Sequence, residues 1–311
     1  MNSPDFLLIG PPKCGTTSIW EILRNHSQIY MPNKKEIDFF TLNYSKGVDY
    51  YQSYFKDNSP EKIRGEASTW YFFTPFATER IKIHYPEIKL ICVLRNPTER
   101  FISHWRYYSN QGFPMEFDEF FQQCLKFHRN KVTLEGNQGE REYLARRHGK
   151  AQGWQWYLYI GEYTEHLDRF WRVFGKKSLL ITRFEDLRFQ PEKIYGEICK
   201  FLNVESIKLV DREAPVSRKT VSSERHIYTK ILGEQVYLRL RSALPDSVKN
   251  ILTYPLRKFT PHKPLPKPTV SQIKQVIDYY HPYNDKLELM LDTDLSSWNS
   301  LDPYKDYLDD E

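Results

Sequence analysis

The stretch Gly10-Pro11-Pro12-Lys13-Cys14-Gly15-Thr16-Thr17-Ser18 decides how this chain folds. A short apolar run, residues 5–9, stands before it, and residues 16–26 carry apolar side chains at helical spacing after it. The glycines and prolines between the two runs interrupt both patterns. The stretch therefore predicts a strand, a loop and a helix in that order.

A loop between a strand and a helix is suited to binding an anion. The first N–H groups of a helix have no partner inside the helix, and the helix dipole adds positive charge there. Gly15 lets the backbone approach an anion, Lys13 adds a charge, and Thr16, Thr17 and Ser18 add hydroxyl donors. We therefore predict a site for a phosphate-like group, the open alternative being a plain turn capped by threonine.

The two glycines have the spacing of a P-loop NTPase, but the lysine is in another place. A P-loop requires Gly-x-x-x-x-Gly-Lys-Ser/Thr. Here Thr16 follows the second glycine, and Lys13 stands two residues before it. The loop could hold a diphosphate-like group, yet it lacks the arrangement of an ATPase.

A second polar motif follows the clearest buried strand pattern, Lys89–Leu94. It begins Arg95-Asn96-Pro97-Thr98-Glu99, where Asn96 suits a helix N-cap and Glu99 would complete a capping box. Arg95 ends the strand, where doubly wound sheets bind ligands, and Ser103 lies about two helical turns later. An arginine and a serine there suit a phosphate monoester, unless Arg95 merely pairs with a carboxylate.

The rest of the chain alternates extended and helical patterns. Extended segments are predicted at 63–66 and 178–182, and helices at Pro75–His84, 97–108, 154–174 and 192–202. Strands alternating with helices predict one α/β domain over residues 1–311, with a central parallel sheet flanked by helices. A proline-rich stretch, 255–268, predicts an extended surface loop.

Composition indicates an ordinary globular protein. The chain has 311 residues, of which 40% are hydrophobic and 27% are charged. Its formal net charge of +5 suits an anionic ligand, whereas the mixed charges argue against a nucleic-acid surface. No apolar run has the length of a membrane span, and no signal peptide is evident. The four cysteines lack metal-ligand spacing and suit a reducing compartment, so we predict a cytoplasmic protein.

The two polar motifs together resemble sulfotransferases that use 3′-phosphoadenosine 5′-phosphosulfate (PAPS). Residues 13–18 resemble their 5′-phosphosulfate loop, and residues 95–103 resemble their 3′-phosphate element. Further similarity points to heparan-sulfate-type and bacterial carbohydrate sulfotransferases. It lies in residues 35–40, 47–51, 65–71 and 281–298. Many such relatives carry lysine where Ala67 stands, so one charge is missing here.

The resemblance implies a reaction and the residues that carry it. PAPS would donate a sulfuryl group to an acceptor hydroxyl or amine, with a saccharide favoured, and the bisphosphate PAP would leave without help from a metal. Lys13 would stabilise the leaving group, and Glu36 would be the general base. The implied donor contacts are Lys13, Cys14, Gly15, Thr16, Thr17, Ser18, Arg95, Ser103, Arg218 and Lys219. The implied acceptor contacts are Glu66, Ser68 and Tyr71.

Several of these roles have alternatives that the sequence leaves open. Glu36 could belong to a solvated turn, and His104 is a competing base that we expect to point elsewhere. Glu66 could orient the acceptor, pair with Lys13 or form an ordinary ion pair at the strand end. Arg218 and Lys219 could equally belong to a basic loop that is exposed to solvent. A P-loop-type nucleotide or small-molecule kinase and a non-catalytic carbohydrate-binding relative are the other candidate functions.

Overall fold

The structure is a computed structural model of the chain. It describes residues 3–56, 62–110, 115–129, 134–148, 154–206 and 267–307. Arg218 and Lys219, the predicted late basic loop, lie outside the described residues, as do positions 255–266 of the proline-rich stretch.

A five-stranded parallel sheet forms the centre of the described chain. Its strands are β1 (Phe6–Leu8), β2 (Ile29–Tyr30), β3 (Ile63–Ala67), β4 (Lys89–Leu94) and β5 (Leu179–Arg183). They lie in the order β2-β3-β1-β4-β5. Because every neighbouring pair is parallel, the carboxyl ends of the strands meet at one edge of the sheet. The predicted fold class is confirmed, although the two-residue strand β2 was not predicted.

Helices cover both faces of this sheet. They are α1 (Thr16–Arg24), α2 (Val48–Gln52), α3 (Pro75–His84), α4 (Pro97–Asn110), α5 (Phe117–Arg129), α6 (Gly136–His148), α7 (Tyr163–Phe174), α8 (Phe184–Phe189), α9 (Pro191–Leu202) and α10 (Val270–Leu291). Leu90 and Cys92 of β4 pack into the core on one face, and Ile91 and Val93 pack into the core on the other. Burial on both faces explains why β4 reads as a continuous apolar run. Among the described helices, none has both the length and the apolar character needed to cross a bilayer.

The predicted helix over 154–174 was wrong in its first half. Two 3₁₀ turns, Trp154–Tyr157 and Tyr159–Gly161, come first, and α7 begins only at Tyr163. The Leu158 carbonyl accepts a hydrogen bond from the Tyr280 hydroxyl of α10 at 2.9 Å. Tertiary partners of this kind take carbonyls that a continuous α-helix would have used.

The predicted capping box of α4 forms only by half. The Asn96 side chain accepts from the backbone N–H groups of Thr98 (2.9 Å) and Glu99 (3.4 Å), as an N-cap should. The Glu99 carboxylate does not return to the Asn96 N–H, because it binds Arg95 instead. The Asn96 N–H donates to Glu185 of α8 at 2.8 Å, so a distant carboxylate completes the cap.

Candidate active site

The loop between β1 and α1 has a backbone shape that few residues permit. Lys13 and Gly15 have φ values of 74° and 83°, in the left-handed region. A Cβ added at Gly15 would lie 2.6 Å from the Phe184 ring, so both conformation and space require glycine there. No side chain caps the start of α1, and its first turn contains no acidic residue. The geometry leaves first-turn N–H donors and the positive helix end available to an anion.

Lys13 lies half-buried at this loop. Its ammonium group is 4.7 Å from the centre of the Tyr107 ring on α4. Burial, followed by the charge of Arg95, lowers the pKa of Lys13 to about 8. The lysine is therefore less firmly protonated than one on the surface, and a bound anion would favour its charged form.

The predicted loop residues divide into two groups by exposure. Thr17 is exposed and Ser18 is half-buried, whereas Cys14 and Thr16 are buried. The Cys14 sulfur lies 4.0 Å from the hydroxyl of Tyr163, and burial raises the pKa of Cys14 to about 12. A ligand in the loop could therefore meet the hydroxyls of Thr17 and Ser18, whereas the Cys14 side chain belongs to the core.

Arg95 lies at the carboxyl end of β4, next to the loop. Its guanidinium forms an ion pair with Glu99 at 2.7 Å, and its Nη1 donates to the Lys13 carbonyl at 3.2 Å. It also lies over the Phe184 ring, 4.6 Å from the ring centre. The carboxylate partner that the sequence left open is present, and the contact with Lys13 joins the two predicted donor motifs.

Ser103 and His104 occupy different faces of α4. Ser103 is half-buried and stands one turn before Tyr107, the residue under the Lys13 ammonium, so it shares that face. His104 is buried, stacks on Tyr157 at 3.7 Å between ring centres, and meets Arg100 through Nδ1 at 2.8 Å. Burial, then the Arg100 charge, lowers the pKa of His104 well below its usual value. His104 therefore points into the core.

Glu36 is held at the same edge by β3 and the turn after it. Its Oε2 accepts hydrogen bonds from the N–H (2.8 Å) and the hydroxyl (3.1 Å) of Thr69, and its Oε1 contacts the Lys35 ammonium. The Glu36 N–H donates to the Ala67 carbonyl at 2.9 Å. With 33% of its side chain exposed, the carboxylate is fixed in place yet still faces solvent.

The segment 66–71 shapes the backbone of the Glu36 loop. Glu36 and Asp38 both have positive φ values, 58° and 54°, which non-glycine residues rarely adopt. The Ser68 hydroxyl accepts from the Asp38 N–H at 3.0 Å, and the Tyr71 hydroxyl accepts from the Phe39 N–H at 2.7 Å. These bonds take up N–H groups of the loop and hold the strained conformation.

Glu66, Ser68 and Tyr71 are all buried. The Glu66 carboxyl accepts from the hydroxyls of Ser68 and Tyr51, the second at 3.3 Å. Burial raises its pKa to about 8. Among the described residues the hydrogen-bond partners of the Glu66 carboxyl are uncharged hydroxyls, and that part of the chain contains neither a pairing with Lys13 nor a strand-end ion pair of Glu66. Direct contact of the three residues with an acceptor stays a prediction.

Sequence reasoning missed three residues of this site. Lys35 and Thr69 stood inside the quoted motifs, but Thr69 is 33 residues from the carboxylate it binds. Tyr107 lies one helical turn after Ser103, and this spacing could have identified Tyr107 as a residue on the same face of α4.

Comparison with known proteins identifies relatives for most of the chain. The profile of the sulfotransferase domain matches residues 3–236. The membrane-associated sulfotransferase kil1 of Dictyostelium discoideum is 25% identical over 267 residues, covering 66% of this chain and 57% of that protein. The bifunctional heparan sulfate N-deacetylase/N-sulfotransferase 3 of Homo sapiens is 30% identical over 210 residues, covering 65% of this chain. The chain spans just over half the length of the first relative and 22% of the second.

A solved structure resembles nearly the whole chain. A sulfotransferase from Alicyclobacillus acidocaldarius aligns with a TM-score of 0.66 at 20% identity. The alignment covers 96% of this chain and 99% of that one. At this identity the likeness concerns the fold.

Proposed function

The chain belongs to the sulfotransferase domain family, and from that premise we propose that it transfers a sulfuryl group from PAPS to a hydroxyl or amine of a saccharide. The observation that carries this proposal is the meeting of three elements at one sheet edge. The Lys13 carbonyl in the loop accepts from Arg95, and the Glu36 N–H donates to Ala67 at the end of β3, the strand that pairs with β1 before the loop. A leaving-group cation, a phosphate-binding arginine and a fixed carboxylate are the groups that the transfer needs.

Donor binding is proposed at the loop and the β4–α4 junction. The N–H groups at the start of α1 and the hydroxyls of Thr17 and Ser18 would hold the 5′-phosphosulfate. Gly15 would allow close approach, while Cys14 and Thr16 would contribute backbone N–H groups. Arg95 and Ser103 would bind the 3′-phosphate. The ion pair between Arg95 and Glu99 would weaken as the phosphate binds. Arg218 and Lys219 stay predicted donor contacts outside the described residues.

The proposed reaction is an in-line displacement at sulfur. Glu36 takes the proton of the acceptor as the acceptor oxygen or nitrogen forms a bond to sulfur. The bond between sulfur and the bridging oxygen breaks, and PAP leaves with the electron pair. The Lys13 ammonium neutralises the charge that grows on that oxygen. The Thr69 contacts orient the Glu36 carboxylate for this task.

The proposed acceptor class rests on the names of the relatives. Several relatives are named as heparan sulfate sulfotransferases, which favours a saccharide. For Glu66, Ser68 and Tyr71 we favour a positioning role, because all three are buried and two of them bind the Glu36 loop.

The proposal treats residues 1–311 as one sulfotransferase domain. Tyr280 of α10 donates to the Leu158 carbonyl at 2.9 Å and accepts from Arg100 of α4 at 3.2 Å. The carboxyl-terminal helix thus packs into the core that carries the donor motifs. A cytoplasmic location stays a prediction, supported by four free, buried thiols.

Calorimetric titration of the whole chain tests donor identity. We expect PAP to bind about ten- to a hundredfold more tightly than adenosine 5′-monophosphate, because charge-assisted bonds to a phosphate are strong. ATP should bind no better than the monophosphate. Preference for ATP would support a kinase instead, and equal affinity for PAP and the monophosphate would refute the assignment of the 3′-phosphate contacts.

A further inference from the structure

Two buried polar atoms beside the Glu36 loop have no hydrogen-bond partner within the described chain. They are Oδ1 of Asp38 and Nε of Arg147. Asp38 follows Glu36 by two residues and is 6% exposed, while Arg147 lies in the last turn of α6. Native proteins rarely leave buried polar atoms unsatisfied, and such atoms often mark functional sites.

The side chains of Asp38 and Arg147 form a long ion-pair contact. Nη2 of Arg147 lies 3.6 Å from Oδ2 of Asp38, which is longer than the usual 2.7–2.9 Å or so of a charge-assisted hydrogen bond. The guanidinium rests on the Trp70 ring, 3.8 Å from the ring centre. Trp70 directly follows Thr69, which binds Glu36. The pair therefore borders the proposed base, and 19% of the Arg147 side chain is exposed.

These two atoms, together with the nearby Tyr143 hydroxyl of α6, which is also buried and has no hydrogen-bond partner in the described chain, define the chemistry of a ligand. Nε of Arg147 can only donate, and a carboxylate oxygen of Asp38 accepts. A hydroxyl group can accept from the first and donate to the second. A carboxylate or sulfate has no proton to donate to the ionised form of Asp38, and it would lie close to the Glu36 carboxylate. Burial, followed by the Glu36 charge, raises the pKa of Asp38 to about 7, so this position already disfavours negative charge.

We propose that Asp38 and Arg147 form an acceptor subsite for a neutral hydroxyl next to the group that is sulfated. The chain would then select an uncharged, polyhydroxylated acceptor residue over an anionic one. This inference rests on the proposed function, because the subsite belongs to the acceptor only if Glu36 is the base. Arg147 would shift from its loose contact with Asp38 as the hydroxyl enters between them.

Binding of simple glycosides to the full chain saturated with PAP tests the subsite. The probes are the methyl β-glycosides of glucose, galactose and N-acetylglucosamine, with methyl β-glucuronide as the charged counterpart, followed by saturation-transfer NMR and titration. At least one neutral glycoside should bind better than the glucuronide. Arg147→Met and Asp38→Leu should weaken it about ten- to a hundredfold, the range expected for hydrogen bonds to charged groups.

Two further variants separate a specific effect on binding from a general loss of stability. Arg146→Met is the matched control, because Arg146 shares the turn with Arg147 but binds Glu142 and lies over Phe127. It should leave glycoside binding unchanged. Asp38→Asn keeps the shape and an accepting oxygen, so it should bind more tightly than Asp38→Leu even if the latter folds poorly.

The outcomes separate the inference from the proposed function. Absence of glycoside binding, preference for the glucuronide, or equal effects of Arg146→Met and Arg147→Met would overturn the subsite. If PAP fails to bind while Arg147→Met still weakens glycoside binding, the donor assignment fails, and Asp38 and Arg147 form a glycoside-binding site without a role in sulfuryl transfer. If PAP binds and Arg147→Met leaves glycoside binding unchanged, the donor assignment stands and the subsite fails.

Discussion

At the scale of single residues, an anionic ligand should change the protonation of Lys13. Its pKa of about 8 follows mainly from burial and then from Arg95. In the free protein the ammonium loses its proton as the pH rises through about 8. A bound bisphosphate favours the charged form and moves the pKa back up. Binding of PAP near pH 8 and above should therefore take up part of a proton.

Calorimetry in buffers of different ionisation enthalpy measures this proton uptake. The enthalpy of PAP binding at pH 8.5 should depend on the buffer for the wild-type chain and much less for Lys13→Met. Equal buffer dependence in the two chains would show that Lys13 is not the group that titrates.

Removal of the Lys13 charge should also slow the chemical step. Lys13→Ala should lower the rate of transfer about 100- to 1,000-fold, as expected for loss of one electrostatic contact to the transition state. Lys177→Ala is a matched control, because Lys177 is exposed and precedes β5, away from the edge where the strands end. A Lys13→Ala chain that works within a few-fold of wild type would contradict the proposed mechanism.

Glu36 should be required for turnover but not for donor binding. Glu36→Gln keeps the side-chain shape and removes the proton acceptor, so transfer should fall about 100- to 10,000-fold while PAP affinity stays near wild type. Glu21→Gln on α1 serves as the control. Near-normal turnover of Glu36→Gln would require another base, and His104 is a poor one because it is buried against Arg100 and Tyr157.

At the scale of secondary structure, the sequence predicted best where the signals were local. Pro75–His84 and Lys89–Leu94 formed with the predicted bounds, and the Asn96 cap was right. Prediction failed at residues 154–162, where the Tyr157 carbonyl accepts from Arg100 of α4 and the Leu158 carbonyl accepts from Tyr280 of α10. It failed likewise at Glu99, where a neighbouring arginine competes for the carboxylate.

The turn after β3 should position the loop that carries Glu36. Tyr71→Phe removes the acceptor of the Phe39 N–H, leaving a buried donor unsatisfied at a cost of about 1–3 kcal/mol in the free energy of unfolding. Because the loop carries Glu36, kcat should fall while PAP affinity is kept. Tyr195→Phe in the core on the opposite face of the sheet is the control. Equal loss of kcat in the two variants would indicate general destabilisation.

The β4–α4 junction should set donor selectivity. Wild type should prefer PAPS over adenosine 5′-phosphosulfate, and Arg95→Ala should erase most of the difference by weakening PAPS alone. Ser103→Ala should have a smaller effect in the same direction. Titration of both nucleotides by calorimetry gives the ratio, and an unchanged preference in Arg95→Ala would show that the 3′-phosphate lies elsewhere.

At the scale of the whole molecule, the site exists because parallel strands end together. The loop after β1, the turn after β3 and Arg95 after β4 come from separate parts of the chain and meet at one edge. The sequence could predict that these segments share an edge. It could not predict that Thr69 would bind Glu36 or that Arg147 would reach Asp38, since such contacts depend on how distant elements pack.

We propose that this chain moves a sulfuryl group from PAPS to an acceptor. The most direct measurement uses PAPS with radioactive sulfur, the wild-type chain and a pool of neutral saccharides, and follows both PAP release and the label. We predict that PAP appears in step with labelled saccharide, and that Lys13→Ala and Glu36→Gln leave the label on the donor. Label that stays on PAPS with every saccharide, or that moves equally well with the two variants, would contradict the claim.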